Sequence, residues 1–189
     1  MTNGEGAAAS VEGGERIRLF CALDLPDGAR SELSAWAARS LRERGRVVPP
    51  ENLHVTLAFL GHRPAGEMPA ILAELRAAAA AARPAELQPL RYRETRSVGM
   101  IVLDDVGGVA SSLADDLHDR LERLGVYRRE GRPWLPHVTV LRRPERGGER
   151  MELANRCSIH VVRSALYRSS LAAGGARYDA LETAALGGT

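Results

Sequence analysis

The sequence predicts an α+β fold built on largely antiparallel sheets, and two observations lead to this prediction. Strand-like and helix-like segments alternate along the chain in the approximate order β-α-β-α-β-β-α-β-β-β. Several strands also follow one another directly, without the crossover helix that parallel neighbours require. These observations disfavour a doubly wound parallel sheet, in which each strand would be followed by a helix.

Hydrophobic periodicity assigns the elements of the first half of the chain. Apolar side chains at every second position predict strands, whereas Leu33, Trp36 and Leu41 recur at the spacing of a helix. Pro and Gly residues mark where the helices begin and end. The predicted elements are a strand over residues 17–24, a helix from Pro26 to Gly45, a strand over 53–60 and a helix from Met68 to Pro84.

The same patterns continue in the second half, where the third helix is the clearest element. Leu113, Leu117 and Leu121 form one apolar stripe, and Arg120 and Arg123 in its last turn complement the helix dipole. The predicted elements are strands over 87–94 and 98–106, a helix over 109–124, a strand over 138–141 and two closing strands over 158–167 and 178–185.

The composition is typical of one globular domain. The 189 residues are 44% hydrophobic and 26% charged with a formal net charge of +2, so the chain is not a polycation that coats nucleic acid without discrimination. All 26 basic residues are Arg, whose guanidinium group matches phosphate oxygens, although GC-rich codon usage explains this composition as well. We expect a disordered leader over residues 1–15 and a single domain over 16–186.

The cysteine count and the N-terminus bear on the compartment. Cys21 and Cys157 are too few for a disulfide framework or a cysteine-based zinc site. The first 15 residues lack the basic stretch and apolar core of a signal peptide, and no apolar run approaches the ~18 residues of a membrane-spanning helix. We therefore expect a cytoplasmic protein with reduced thiols, no membrane association and a monomeric state.

One short motif occurs twice. His54-Val55-Thr56 and His137-Val138-Thr139 both lie in predicted strands. Because side chains two residues apart leave the same face of a strand, each copy presents an imidazole and a hydroxyl side by side. The intervening Val faces a core, and Leu57 and Phe59 are expected on that core side with it. The repetition predicts two duplicated lobes whose histidines face each other across a cleft.

Two histidines facing one phosphorus atom form a hydrolytic site that needs no metal. A neutral imidazole takes a proton from the attacking water, and an imidazolium gives a proton to the departing ester oxygen. An unperturbed histidine pKa of ~6.5 allows both forms near neutral pH. The hydroxyls of Thr56 and Thr139 are suited to donate to the non-bridging phosphate oxygens. The two copies are alike, so the motif does not say which histidine is the acid.

Several polar and aromatic side chains have alternative interpretations. A metal site on the two motif histidines is disfavoured, because zinc takes three or four protein ligands and no Asp, Glu or Cys recurs at ligand spacing near either copy. Of the other histidines, we expect His62 to be solvated, His118 to lie on the exposed face of the third helix and His160 to lie in a sheet. Trp134, just before the second motif, is expected either to stack on a nucleobase or to pack between the lobes.

Three segments resemble the 2H phosphoesterases, and among them the RNA 2′,3′-cyclic phosphodiesterases, once called 2′-5′ RNA ligases. The segments are RLFCALDLP at 18–26, NLHVTLAFLG at 52–61 and PHVTVLR at 136–142. The similarity runs from about residue 16 to residue 186 and includes a closing pattern of Ser169, Gly175 and Tyr178. This resemblance implies a bilobal fold of two largely antiparallel sheets with outer helices and a central cleft.

The resemblance also implies a reaction, the hydrolysis of a terminal RNA 2′,3′-cyclic phosphate to a 2′-phosphomonoester without a cofactor. By motif position it makes His54 the proton donor and His137 the proton acceptor, with Thr56 and Thr139 holding the phosphate. Arg142 matches a basic position often seen after the second motif. Its odd spacing from His137 puts Arg142 on the opposite face unless the strand bulges or ends there.

Two alternative functions share the motif. One is a phosphodiesterase acting on a small cyclic phosphate, such as a cyclic nucleotide or ADP-ribose cyclic phosphate. The other is a module that binds RNA ends or joins them through 2′-5′ bonds. An ATP-driven ligase is disfavoured, because a chain without Lys has no Gly-x-x-x-x-Gly-Lys loop. Basic pairs at 128–129 and 142–143 and the stretch 91–96 are candidates for a basic rim that contacts the RNA backbone.

Overall fold

The computed structural model of the chain describes residues 15–142, 150–153, 157–172 and 175–187, and within these ranges it has three α-helices and ten β-strands. The helices are α1 (Asp27–Ser40), α2 (Met68–Ala81) and α3 (Val109–Arg123). The strands are β1 (Arg16–Leu23), β2 (Arg46–Val47), β3 (Val55–Pro64), β4 (Ala85–Glu94), β5 (Val98–Val106), β6 (His137–Arg142), β7 (Arg150–Glu152), β8 (Ile159–Val161), β9 (Arg163–Ala172) and β10 (Gly175–Ala185).

The strands form one hydrogen-bonded path with a narrow point in its middle. The order is β10-β9-β1-β3-β6-β5-β4-β7, with β2 on β6 and β8 on β4, and every pairing among the described strands is antiparallel. β3 meets β6 through one pair of residues, Val55 opposite Val138. The predicted α+β class with antiparallel sheets is confirmed, and the two sheets are joined edge to edge. We call β10-β9-β1-β3 the first half-sheet and β6-β5-β4-β7 the second.

Each half-sheet contains the same unit of strand, helix and motif strand. In the first, β1 leads through α1 to β3, and β1 pairs with β3. In the second, β5 leads through α3 to β6, and β5 pairs with β6. The two units bring their motif strands side by side at the centre, as expected for duplicated lobes.

A main hydrophobic cluster lies between the helices and one face of the sheet. Leu33 of α1, Ile71 of α2 and Leu117 of α3 pack there with alternate strand residues, including Val55 and Val138. A smaller cluster of Phe20, Ala22, Ala165 and Tyr167 is separate from it. Because Val55 and Val138 point into the main cluster, the His and Thr side chains beside them leave the opposite face. We call this opposite face the motif face.

Several predicted element boundaries differ from the observed ones; α1, for example, ends at Ser40 and not at Gly45. β3 begins at Val55 and continues past Gly61, which has a φ of 69° beside an irregularity in the β1–β3 register. The single strand predicted over 158–167 is two strands, because the chain leaves β8 on β4 and enters β9 on β1, passing from one half-sheet to the other. β2 and β7 have two and three residues, too few for a two-residue period to be visible.

The N-terminal region bears on the predicted leader. Residues 1–14 of the disordered leader expected over 1–15 lie outside the described residues, whereas the carbonyl oxygen of Glu15 accepts a hydrogen bond from the Ala65 amide. Among the helices of the described ranges, none has the length and apolar content needed to cross a bilayer.

Candidate active site

The two motifs lie next to each other on adjacent antiparallel strands. With Val55 opposite Val138, the register places His54 opposite Thr139 and His137 opposite Thr56. All four side chains therefore leave the motif face. His54 and His137 are diagonal neighbours across the strand pair, a relationship with a typical separation of about 7–8 Å. The structure thus brings together the four motif residues that the sequence singled out.

Backbone carbonyl groups fix the tautomer of both imidazoles. Nδ1 of His54 lies 2.8 Å from the carbonyl oxygen of Asn52, and Nδ1 of His137 lies 2.8 Å from that of Leu135. A carbonyl oxygen only accepts hydrogen bonds, so Nδ1 is the donor in both rings. In the neutral rings Nε2 is therefore the unprotonated atom, and Nε2 of His54 accepts a hydrogen bond from Thr56 Oγ1 at 3.1 Å. Both rings present Nε2 as the atom that can exchange a proton with a ligand.

Aromatic rings surround His54. Its ring centroid lies 4.8 Å from that of Phe20, 6.0 Å from that of Tyr167 and 5.2 Å from that of Tyr178. The pKa of His54 is lowered from 6.5 to about 4, mainly by burial among these rings. The hydrogen bond to Asn52 opposes this effect, and electrostatic interactions with Arg142, His137 and Arg30 add to it. His54 is therefore neutral at pH 7 in the free protein.

A polar network lies behind these rings. The Tyr167 hydroxyl donates to Asp24 at 3.3 Å, and Asp24 also forms ion pairs with Arg30 and Arg163. Burial raises the pKa of Tyr167 to about 12, so its hydroxyl stays protonated. No motif in the sequence marks Tyr167 or Phe20 as a residue of the site. The available signal was that β1 is apolar on both faces, since Phe20 and Ala22 alternate with the core residues of the same strand.

A β-bulge in β6 brings Arg142 to the motif face. Thr139 lies opposite Met100 and Leu141 lies opposite Gly99, so Val140 is an extra residue without a partner in β5. Because the bulge adds one residue, His137 and Arg142 lie on the same face of the sheet although their spacing is odd.

Arg142 lies beside His54 as a result of this bulge. Its Nη2 donates to the Tyr178 hydroxyl at 3.1 Å, and its charge lowers the pKa of His54. Tyr178 belongs to β10, and Asn52, whose carbonyl oxygen holds His54, donates its side-chain amide to the Ala176 carbonyl oxygen in the same strand at 2.8 Å. β10 therefore supports the site from the end of the chain.

β3 has the corresponding bulge. Thr56 lies opposite Ala22 and Ala58 lies opposite Cys21, which leaves Leu57 as the extra residue. The prediction that Phe59 faces the core with Val55 is wrong, because the bulge reverses the alternation after Leu57. The Phe59 ring is 49% exposed, and the Arg18 guanidinium lies 4.8 Å from its centroid.

The remaining sequence candidates have clear positions. His118 is buried, and its Nε2 donates to the Leu57 carbonyl oxygen at 2.8 Å, so the prediction of an exposed position is wrong. His62 is exposed and His160 lies in β8, as expected. Trp134 packs against the main cluster and donates Nε1–H to the Thr56 carbonyl oxygen at 2.9 Å, a packing role between the half-sheets. Its stacking on a nucleobase stays a prediction.

The chain is similar to known proteins over most of its length. The family model of LigT-like phosphoesterases matches residues 23–91. The RNA 2′,3′-cyclic phosphodiesterase of Escherichia coli (strain K12) is 32% identical in a match that covers 91% of this chain and 98% of the relative. The chain belongs to the family of LigT-like phosphoesterases. It is therefore related over nearly its whole length to enzymes that act on phosphate esters.

Other members of the LigT-like family agree with this assignment. The RNA 2′,3′-cyclic phosphodiesterase of Thermus thermophilus is 28% identical, with 91% of each chain covered. The crystal structure of E. coli LigT complexed with 3′-AMP has a TM-score of 0.79 at 31% identity and covers 91% of this chain and 99% of that one. A crystal structure of a Thermus thermophilus protein has a TM-score of 0.78 at 30% identity and the same coverage. The family fold thus extends over both half-sheets.

Proposed function

We propose that this protein is a metal-independent RNA 2′,3′-cyclic phosphodiesterase that uses His54 and His137 as its general acid and base. The observation that carries the proposal is the β3–β6 register, which puts two imidazole-hydroxyl pairs side by side on one face. The names of the relatives support the substrate class. Each imidazole directs Nε2 away from its carbonyl partner, so the pair itself supplies both proton transfers that ester hydrolysis needs.

The proposed reaction is an in-line displacement at the cyclic phosphorus. Water attacks phosphorus while Nε2 of His137 takes one of its protons. The bond from phosphorus to O3′ breaks, and O3′ takes the proton of Nε2 of His54. The product keeps the phosphate on O2′, and proton exchange with solvent returns both rings to their starting states. The assignment of His54 as donor comes from the family resemblance.

The proton on His54 has to be stabilised by the substrate. In the free protein burial and neighbouring positive charges keep this ring neutral at pH 7. A phosphodiester anion bound between the motifs offsets those charges and raises the proton affinity of the ring. On this proposal His54 becomes protonated only when a phosphate is bound. The substrate therefore brings the acid into its active protonation state.

Three side chains are proposed to hold the phosphate oxygens. Thr56 and Thr139 lie opposite the two histidines across the strand pair, and their hydroxyls can donate to the non-bridging oxygens. Arg142 lies close enough to act electrostatically on His54, and guanidinium–phosphate hydrogen bonds are among the stronger polar contacts in proteins. Together they would stabilise the charge that gathers on the phosphate during displacement.

The test is hydrolysis of an oligoribonucleotide ending in a 2′,3′-cyclic phosphate, with EDTA present throughout. We expect a 2′-phosphomonoester as the product, identified by mass spectrometry and resistance to a 3′-specific phosphatase. H54A and H137A should each lower kcat by about 10²–10⁴, the usual contribution of a positioned acid or base. H62A and H160A are matched controls, because they remove imidazoles outside the site, and they should retain activity.

Three results would contradict the proposal. Activity that EDTA abolishes would contradict metal independence, and a 3′-phosphomonoester would contradict the direction of ring opening. Full activity in either motif variant would remove that histidine from the mechanism. Turnover of ADP-ribose cyclic phosphate, with none of the RNA end, would favour the small-molecule alternative.

A further inference from the structure

A second basic surface lies on the motif face at a distance from the histidines. Arg91, Arg93 and Arg150 line a pocket of about 440 Å³ together with Met151. Arg91 and Arg93 are two residues apart on β4, and Arg150 on β7 lies opposite Arg93. Since residues two apart and residues directly opposite share a face, the three arginines leave the same side of the sheet.

The strand register connects this pocket with the second motif. Two rows of opposite residues cross β6, β5 and β4: His137, Val102 and Arg91 form one row, and Thr139, Met100 and Arg93 form the other. The arginines therefore lie on the motif face in line with the second motif. Adjacent strands are ~4.8 Å apart, so β4 is about 10 Å from β6. An extended ligand bound at the histidines can reach the pocket across β5.

Two apolar residues of β5, Met100 and Val102, separate the pocket from the second motif within these rows. Met100 and Val102 are buried but belong to neither hydrophobic cluster, as expected for a floor on the motif face. In the next row, exposed Asp104 lies opposite Gln88, so the positive charge ends there. The pocket is therefore a local basic site aligned with the motif.

The pocket carries more positive than negative charge. The strand register puts one acidic residue, Glu152 of β7, opposite Arg91. Among the carboxylates whose side chains the structure describes, none forms an ion pair with Arg91, Arg93 or Arg150. By contrast, Arg44 binds the buried carboxylate of Glu94, which points to the other side of β4. Three guanidinium groups with one acidic residue in their rows leave a net positive charge that favours an anionic ligand, and their planar donors suit phosphate oxygens.

We propose that Arg91, Arg93 and Arg150 form a subsite for the RNA backbone phosphates on the 5′ side of the terminal nucleoside. This inference rests on the proposed function and deepens it. When the cyclic phosphate lies between the histidines, the rest of the strand leaves from the 5′ side of the same nucleotide. A strand laid across β5 would bring its phosphodiesters to the arginines, whereas a cyclic mononucleotide has no phosphate to place there. The subsite therefore selects RNA ends over small cyclic phosphates.

The test compares two substrates in two double variants. The substrates are 2′,3′-cyclic CMP and an octaribonucleotide with the same cyclic end. In R91Q/R93Q we expect the ratio of kcat/KM for the octamer to kcat/KM for cyclic CMP to fall at least tenfold. R83Q/R123Q removes the same charge from exposed positions near the ends of α2 and α3 and should change the ratio less than twofold. An unchanged ratio in R91Q/R93Q, or an equal fall in both variants, would overturn the subsite.

A binding measurement separates this inference from the reaction itself. Fluorescence anisotropy with a labelled octamer ending in a 2′-phosphate should show weaker binding to R91Q/R93Q than to the control variant. The slope of log affinity against log salt should become shallower by about 1.4, since each phosphate contact on a single strand contributes about 0.7. Equal affinities and slopes would overturn the subsite. Wild-type protein that hydrolyses neither substrate would instead contradict the proposed function, while the binding comparison still decides on the subsite.

Discussion

His54 and His137 share their local geometry, and the surroundings of His54 set its proton affinity. Each ring donates Nδ1–H to the carbonyl oxygen two residues before it. His54 is also packed among Phe20, Tyr167 and Tyr178 and lies near the charge of Arg142. These contacts come from β1, β9, β10 and β6. The protonation of His54 is therefore a property of the assembled site and not of the tripeptide.

The depressed pKa of His54 has a consequence for stability. The ring has a pKa near 6.5 when unfolded and about 4 when folded, so between these values the unfolded chain binds more protons and stability falls as the pH falls. The full difference is about 3 kcal/mol. Between pH 7 and pH 4 we expect wild type to lose about that much more free energy of unfolding than H54Q, as measured by urea denaturation.

An NMR titration checks the same prediction directly. The Cε1–H resonance of His54 should titrate with a midpoint of about pH 4 in the free protein. A midpoint near 6.5, together with equal losses of stability in wild type and H54Q, would show that the ring is not shielded from water.

The motif residues could be predicted from sequence because they depend on short-range geometry. Residues two apart share a strand face whatever surrounds them, and this places Thr56 beside His54 and Thr139 beside His137. Phe20 and Tyr167 could not be found in this way. They reach the site through strand pairings between distant segments, and no local pattern encodes which strands become neighbours.

At the scale of the element, both motif strands carry a bulge at the third residue after the histidine. Leu57 and Val140 are the extra residues, and each is buried with the next residue of its strand. Two consecutive buried residues break the alternation and send the fifth residue after the histidine to the motif face. The strands themselves could be predicted from the alternation of apolar residues. The face of the sheet on which the Phe59 side chain lies could not.

α3 shows the opposite case, in which the sequence contained a usable signal. His118 lies four residues after Ala114 and three before Leu121, both of which are buried, so helical spacing places it on the apolar face. The predicted helix is confirmed at Val109–Arg123. Only the direction of this one side chain was wrong, because a histidine was assumed to prefer water.

We expect His118 to stabilise the packing of α3 on β3. H118L leaves the Leu57 carbonyl oxygen without its donor and should lower the free energy of unfolding by about 1–3 kcal/mol. H118Q can restore a donor and should be less destabilising. Urea denaturation of both variants, with R123Q as an exposed control on the same helix, measures the difference. Values for H118L within about 0.5 kcal/mol of wild type would show that this hydrogen bond contributes little.

At the scale of the whole molecule, the two half-sheets are held together by more than one strand pair. Trp36 of α1, which follows β1 in sequence, packs on Tyr92 of the second half-sheet with ring centroids 5.5 Å apart. Trp134 precedes β6 of the second half-sheet and donates a hydrogen bond to the Thr56 carbonyl oxygen in the first half-sheet. The main cluster also contains residues from both half-sheets. Because of these shared contacts, the stability of each half-sheet depends on the other.

We therefore expect a single cooperative unfolding transition. Far-UV circular dichroism and tryptophan fluorescence should give coincident urea midpoints in W36F and in W134F, where the remaining tryptophan reports on one side of the junction. Two separated transitions, or fluorescence that changes before the circular dichroism, would show that the half-sheets unfold independently.

The chain path through the junction limits how this enzyme can be divided. In the chain, β4 to β8 and α3 form one stretch that contains no strand of the first half-sheet, and this stretch lies between α2 and β9. If that stretch is excised and the flanking parts are rejoined, His137 lies on the excised piece and His54 on the remainder. If the two histidines are the acid and the base, as proposed, neither piece should hydrolyse substrate alone, and activity should return only when the two pieces are recombined.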